Sequence, residues 1–477
     1  MCFISAIVNG QKRLEKQTTS EGKYMKSRLL ADVEEWKNAA PLFCSQQFSD
    51  DIRQFTQWYT DGQDCFGCLP KPGERNDIER NTAHHYRDVL AEIRSQFFAV
   101  HGMELYAAMT NQWHEFMRVD DLMYQFAEKF PGLAPTKLDI QRDHSHLLAE
   151  KQGHELSQGL ILAELLAIPR VGNHLMAAMR RPKNDSYPYL LEFQNKGKIE
   201  FDTIKLIKNN NIAYLTLSNH SYLNAEDDEF NDAMEIAVDV ALLDPTIEMG
   251  VIRGDVMTHK KYEGMRVFCS GVNLTKLYQG QLPYLFYVKR ELGMMSKLYR
   301  GLLNNNGTWN EAPDRAIEKP WISVVDTHAI GGGCQMLLVS DYVIAESDSY
   351  FTIPARSEGF IPGLANLRLP RYVGQRLANR MIYRNHKILA NSIEGRLLVD
   401  DVVDSSAMNK IIDHIIHEMT ETGVHGMISN RKAFRHAVEP LDIFRRYMAT
   451  FCREQAKCMY DDEVIRHLEN FWVRRCK

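Results

Sequence analysis

Three consecutive glycines, Gly331, Gly332 and Gly333, separate an apolar run at 321–325 from a second apolar stretch at 335–339. Glycine has no Cβ, so backbone there can approach a ligand closely. A helix start also leaves N–H groups unpaired and aimed outward, which suits an anion or a developing negative charge. A second glycine-bearing segment, RVFCSGVNL, lies upstream at 266–274. Between the two lie adjacent cations, Lys289 and Arg290, and Gln335 follows the GGGC run directly. The glycine stretch itself is suited to holding negative charge on something small and flat.

The elements that must carry these groups are legible from periodicity. Residues 1–205 read as helical, with apolar residues at three- and four-residue spacing over 28–38, 50–59, 82–98, 103–116, 120–130 and 137–168. The pattern changes near 195–211 to strand signals, with a hairpin turn at Asn209 and Asn210. Asn224 reads as the N-cap of a helix over 228–243, followed by a strand over 249–253. Strands over 321–325 and 342–345 flank the glycine triplet and a helix over 335–339. The run 281–304 reads as a long amphipathic helix that faces solvent along most of its length. Beyond 391 the chain reads as helical to Lys477.

Composition narrows the class. The 477 residues carry 57 basic and 62 acidic side chains, a net charge of −5 with no long basic run, which disfavours nucleic acid. No stretch of about 18 apolar residues occurs that would cross a membrane. The N-terminal run MCFISAIVNGQKR is too short for a signal segment. Nine scattered cysteines suggest a reducing, cytoplasmic compartment.

Taken together, IGGGCQ followed by SDYVIAES and IPG, the upstream CSGVNL and the later SIEGRLLVDDVVD resemble the crotonase (enoyl-CoA hydratase/isomerase) superfamily. The resemblance implies an α/β fold, a crotonase-like spiral of ββα units. Added to it are a large α-helical N-terminal domain (1–205) and a helical C-terminal region (405–477) for oligomerisation or as a lid, around a core at 206–404. It also implies an oxyanion hole made by the backbone N–H groups of Val272 and Gly332. Ordinary members place catalytic glutamates where this chain has Gln335 and Ala355. Gln cannot take a proton, so hydration of an enoyl thioester is disfavoured.

The helical extension, CSGVNL, the KRELG run, GGGCQ and PARSEGFIPG with ANLRLPR resemble one branch of the superfamily, the 3,5-dihydroxyphenylacetyl-CoA 1,2-dioxygenases. That branch needs no metal and no organic cofactor. It converts an aryl-acetyl-CoA and dioxygen to an aryl-glyoxylate and CoA in dihydroxyphenylglycine biosynthesis. Residues transferred by motif are Arg290 (with Lys289 as the one-residue alternative) and Gln335 as catalytic. Glu226, His259, Ser270, Gly271, Asn273, Leu274 and Gly333 are placed around the substrate. A homotrimer or homohexamer is implied. Singly, Glu226 reads as a helix N-terminal acid, His259 as a solvated loop residue and Arg290 as a surface ion pair; their joint occurrence in one frame favours the site. Competing readings are an acyl-CoA thioesterase using the same hole, or a non-catalytic acyl-CoA-binding protein. Cys65 and Cys68 form one CxxC without a second, and His467 and Glu469 lack a companion on one helix face, so neither is read as a metal site.

Overall fold

The structure, a computed structural model, describes residues 33–44, 47–303 and 315–472. The N-terminal run at 1–13 and the start of the helix expected from 28 lie outside them. Among the described residues ten strands form two sheets. In chain order they are β1 (Lys198–Glu200), β2 (Ile204–Asn209), β3 (Ile212–Leu217), β4 (Met249–Gly254) and β5 (Trp321–Val325). They continue as β6 (His328–Ile330), β7 (Tyr342–Glu346), β8 (Tyr350–Thr352), β9 (Ile388–Leu389) and β10 (Asp401–Val403). The large sheet runs β1-β2-β3-β4-β5-β7-β10, antiparallel through β3 and parallel from β3 onward. A small sheet pairs β6, β8 and β9. Every residue of β5 is buried, as a central parallel strand covered on both faces requires.

Side-chain alternation splits the sheet's two faces. Ile322, Val324, Ile344 and Val251 pack under the helix Met408–Thr420 through Ile412, Ile415 and Ile416. Trp321, Val325 and Val343 pack on the other face with Met234, Val238 and Ala241 of the helix Asp228–Leu243. The N-terminal helices build a further core of their own. The long helix Asp77–Met109 and the apolar helix Glu155–Ala167 are its centre, completed by residues 277–292 and by the C-terminal helix Leu441–Met459.

Several local expectations shift. The segments at 82–98 and 103–116 are one helix, Asp77–Met109, opened by a capping box in which Asn76 and Glu79 exchange hydrogen bonds. The expected 137–168 helix is three pieces, Lys137–Asp143, a 3₁₀ turn Leu148–Glu150 and Glu155–Ala167. The break is held by Asp143, whose carboxylate accepts from the N–H groups of Gln152, Gly153 and His154. The hairpin turn falls on Asn210 and Asn211, with Asn210 at φ 54°. Asp227, not Asn224, caps the helix Asp228–Leu243, accepting from the Phe230 N–H at 3.0 Å. Asn224 instead lies buried at φ 58°, donating to the carbonyls of Leu217 and Val267. Beyond 391, β10 intervenes before the helices resume at Met408.

The largest correction concerns the run expected to face solvent. It is helical from Tyr284 to Arg300, and all but Tyr299 of these residues are buried. Its charges are tolerated inside because each meets a partner. Lys289 meets Asp228 at 2.7 Å, Lys297 meets Glu235 and Asp239 at 2.8 and 2.7 Å, and Arg300 meets Glu439 at 3.2 Å. Its middle, Arg290–Met295, is a π turn, a widened turn often found at functional sites.

Candidate active site

The two glycine segments are fastened to each other by backbone. Cys269 bridges Ala329, and the Ile330 N–H donates to the Cys269 carbonyl at 2.9 Å. Gly271 (φ 86°) and Gly331 (φ 52°) then face each other: a Cβ on Gly271 would lie 3.2 Å from the Ile330 carbonyl oxygen. Gly333 packs equally tightly, since a Cβ there would come within 2.8 Å of the Cys269 Cβ.

This approach leaves two N–H groups over. The Glu226 N–H donates to Gly271 and the Asn273 N–H donates to Glu226, at 2.7 and 2.8 Å. The N–H of Val272, between them, has no acceptor among the described residues. Gly332 opens the helix Gly332–Leu337, three residues earlier than expected. Its N–H is one of the orphans of a helix start. Both residues line one small cavity of about 30 Å³.

Arg290 organises the cavity's polar side. Its Nε and Nη2 donate to the Glu226 carboxylate at 2.9–3.1 Å. Its Nη1 donates to Glu291 Oε1 at 2.6 Å and to Gln335 Oε1 at 2.8 Å, and Nη2 also donates to the Gly332 carbonyl at 3.0 Å. Arginine has only donors, so the Gln335 amide must turn its oxygen toward it. Burial disfavours the Arg290 charge, but Glu226 and Glu291 outweigh it and hold the guanidinium ionised. Burial pushes the Glu291 carboxyl upward despite Arg290. Lys289 is turned away to Asp228 and does not line the cavity.

The remaining wall is apolar: Val272, Ile353, Phe360, Ile361, Pro362 and Phe451. Set into it are three polar groups that sequence reasoning did not single out. Tyr287 Oη and Glu291 Oε2 are buried without hydrogen-bond partners. Glu358 keeps part of its surface accessible, yet protein surrounds its carboxyl and burial pushes it up to about 8. The EG of ARSEGFIPG and the acid beside Arg290 were the available signals for these carboxylates. Phe451 reaches the site from far along the chain and left no local sign.

The other expected residues take varied places. Asn273 caps the helix Leu274–Tyr278, accepting from the Lys276 N–H and donating to Asp227, each at 3.1 Å. Leu274 packs into the helical core. Ser270 Oγ pairs with His328 Nε2 at 3.1 Å, and burial, with Lys261 and Lys387, lowers His328 to about 4, so its ring is neutral. His259 is exposed in its loop, its Nδ1 accepting from the Lys261 N–H, and it is not part of the cavity wall. Among the described residues no group of three or more His, Cys, Asp or Glu is arranged to hold a metal, and no single helix is long and apolar enough to cross a membrane.

The enoyl-CoA hydratase/isomerase family model matches residues 207–450. The chain belongs to that family. It is 41% identical over 404 residues to the (3,5-dihydroxyphenyl)acetyl-CoA 1,2-dioxygenase of Amycolatopsis orientalis, covering 84% of this chain and 92% of that protein. By this relationship the family member described here is an oxidoreductase. It is 24% identical over 229 residues to the 2,3-dehydroadipyl-CoA hydratase of Escherichia coli K12, covering 48% of this chain and 80% of that one. Among solved structures, an enoyl-CoA hydratase of Mycobacterium avium subsp. paratuberculosis K-10 matches at a TM-score of 0.47 and 16% identity, over 58% of this chain and 97% of that one. The family's crotonase core is therefore present, and the helices before residue 207 are an addition to it.

Proposed function

We propose that the protein is a cofactor-independent dioxygenase that converts 3,5-dihydroxyphenylacetyl-CoA and dioxygen to 3,5-dihydroxyphenylglyoxylate and CoA. The observation that carries this reading is the buried Arg290 hub, which fixes Gln335, at the position where a hydratase needs a mobile acid or base, and Glu226 in hydrogen bonds, while Ala355 leaves the second such position without an acid. The relative from Amycolatopsis orientalis supports it.

In this reading the Val272 and Gly332 N–H groups receive the thioester oxygen. As the α-proton leaves, negative charge grows on that oxygen, and each such donor contributes about 3 kcal/mol to the transition state. The aryl-stabilised enolate reduces dioxygen directly and adds it at the α-carbon. The resulting peroxide attacks the thioester carbonyl and expels CoA, and cleavage of the O–O bond with loss of the second α-hydrogen gives the α-keto acid. Atoms balance without water: both oxygens enter the acid, one hydrogen ends on CoA and one on the carboxyl. The apolar wall keeps water out, which protects the enolate from simple reprotonation. Gly271, Ser270, Asn273, Leu274 and Gly333 shape the hole, and Arg290 and Glu226 set the charge around it. The same reading makes the enzyme a cytoplasmic trimer or hexamer in dihydroxyphenylglycine biosynthesis.

The test is incubation with 3,5-dihydroxyphenylacetyl-CoA in air. Oxygen uptake equal to CoA release, with the aryl-glyoxylate as product, is expected. CoA release without oxygen uptake makes it a thioesterase, and binding with neither makes it an acyl-CoA-binding protein.

A further inference from the structure

Three carboxylates line the cavity, and their surroundings differ sharply. Glu226 is clamped through both oxygens by Arg290. Glu291 has one oxygen held by the same guanidinium at 2.6 Å. Glu358 makes no side-chain hydrogen bond and no ion pair among the described residues. A mobile base needs a free lone pair and no fixed cation bonded to its carboxylate; Glu291 keeps Oε2 free but shares Oε1 with Arg290, so of the three Glu358 alone meets both conditions.

Its position on the chain is equally telling. Ala355 occupies the place where hydratases of the family carry their second acid, and the helix Ala355–Glu358 puts residue 358 three positions on. Residues at i and i+3 lie on one helix face. Both Ala355 and Glu358 line the cavity, so the carboxylate absent at 355 is restored one turn later, on the same wall. Tyr287, its neighbour on that wall, cannot substitute for it. Burial pushes the Tyr287 phenol far above its ordinary range, so it remains a neutral donor.

We propose that Glu358 is the catalytic base that removes the α-proton of the acyl thioester, an assignment that rests on the aryl-acetyl-CoA reading above. In the step, the Cα–H bond breaks, its electron pair delocalises onto the thioester oxygen held by Val272 and Gly332, and the proton passes to the Glu358 carboxylate. That proton later neutralises the departing CoA thiolate, leaving Glu358 ready for the second α-hydrogen. The burial that raises its proton affinity to about 8 also makes it a stronger base than an exposed carboxylate.

The experiment compares wild type, Glu358→Gln and Glu358→Asp on 3,5-dihydroxyphenylacetyl-CoA. Deuterium exchange at the α-carbon is followed without oxygen, and oxygen uptake in air. Glu358→Gln, which keeps shape and removes basicity, is expected to slow exchange and oxygenation together by about 100-fold or more, with substrate Kd nearly unchanged. Glu358→Asp, one methylene shorter, is expected to recover part of both rates. Exchange by Glu358→Gln at the wild-type rate overturns the assignment. Wild-type exchange without oxygen uptake overturns the dioxygenase reading instead, while loss of that exchange in Glu358→Gln still supports the base. A wild type that takes up oxygen yet exchanges no α-deuterium overturns the base assignment and leaves the dioxygenase reading standing, and one that does neither overturns both.

Discussion

Gly332→Ala is the smallest change that tests how the hole and the Arg290 hub are joined. A Cβ built on Gly332 falls 1.8 Å from Glu226 Oε2 and 3.1 Å from Arg290 Nη2. Real contacts of this kind stay beyond about 3 Å, so the carboxylate must retreat by about 1 Å. The neighbours resist: Glu226 is almost wholly buried, its backbone is fixed to Gly271 and Asn273, and its oxygens are fixed by Arg290. Disrupting a buried ion pair costs about 3–5 kcal/mol, and a misplacement of about 1 Å at a reacting centre costs about 100-fold in rate. Urea unfolding should therefore show a stability loss of that order, and anaerobic α-deuterium exchange should fall at least about 100-fold. Glu226→Ala removes the obstacle, so the alanine at 332 should cost little further stability in that background, a coupling that a double-mutant cycle reads directly. A Gly332→Ala protein with wild-type exchange and wild-type stability would refute the placement of Glu226 against the glycine turn.

Arg290→Ala leaves Glu226 and Glu291 buried together without their cation. It should cost about 3–5 kcal/mol by urea unfolding, with Arg290→Lys intermediate because the forked contacts are lost; unchanged unfolding would contradict the hub. Gln335→Glu places a third carboxylate beside Glu291 at Gly363. Oxygen uptake should drop, and no hydration of crotonyl-CoA should arise because Arg290, which donates to residue 335, would hold the new carboxylate ionised and unable to deliver a proton. Outside the cavity wall, burial opposes ionisation of Glu439, but Arg368, Arg300 and Arg371 hold its carboxyl down at about 2. Its folded pKa lies below its unfolded value, so it stabilises the fold above about pH 4.5 and loses that contribution as pH falls toward 2. Acid titration of stability should flatten between those limits in Glu439→Gln, and an unaltered acid limb would be against it.

The parts of the site that depend on backbone were legible in the sequence. Strand, glycine triplet and helix recur in the structure within a few residues, because glycine's lack of a Cβ is a local property. The nature of the helix carrying Arg290 was not legible. Its charged residues at 289, 290, 297 and 300 are the pattern of a surface helix. They become interior only because Asp228, Glu226, Glu235, Asp239 and Glu439, scattered over two hundred positions, converge on them. Glu358 escaped attention for a similar reason. Nothing local separates an acid facing solvent from one facing a cavity wall that contains Phe451. Asn224 shows the limit of cap rules, since its amide was claimed by two carbonyls of neighbouring segments before it could cap a helix.

The helix Leu441–Met459 packs between the N-terminal helices and contributes Phe451 to the cavity wall, while Gln455 accepts from the Ile361 N–H and Tyr447 donates to the Gly363 carbonyl. During synthesis the chain's first helices therefore wait for its last long one. Their apolar faces, made early, are covered only after more than half of the polypeptide has left the ribosome, so the nascent protein passes through a long interval of exposed hydrophobic surface. The same wiring delays enzymatic competence to the end of translation. A chain stopped before residue 441 holds both glycine segments and Arg290, yet lacks the piece that seals them from water.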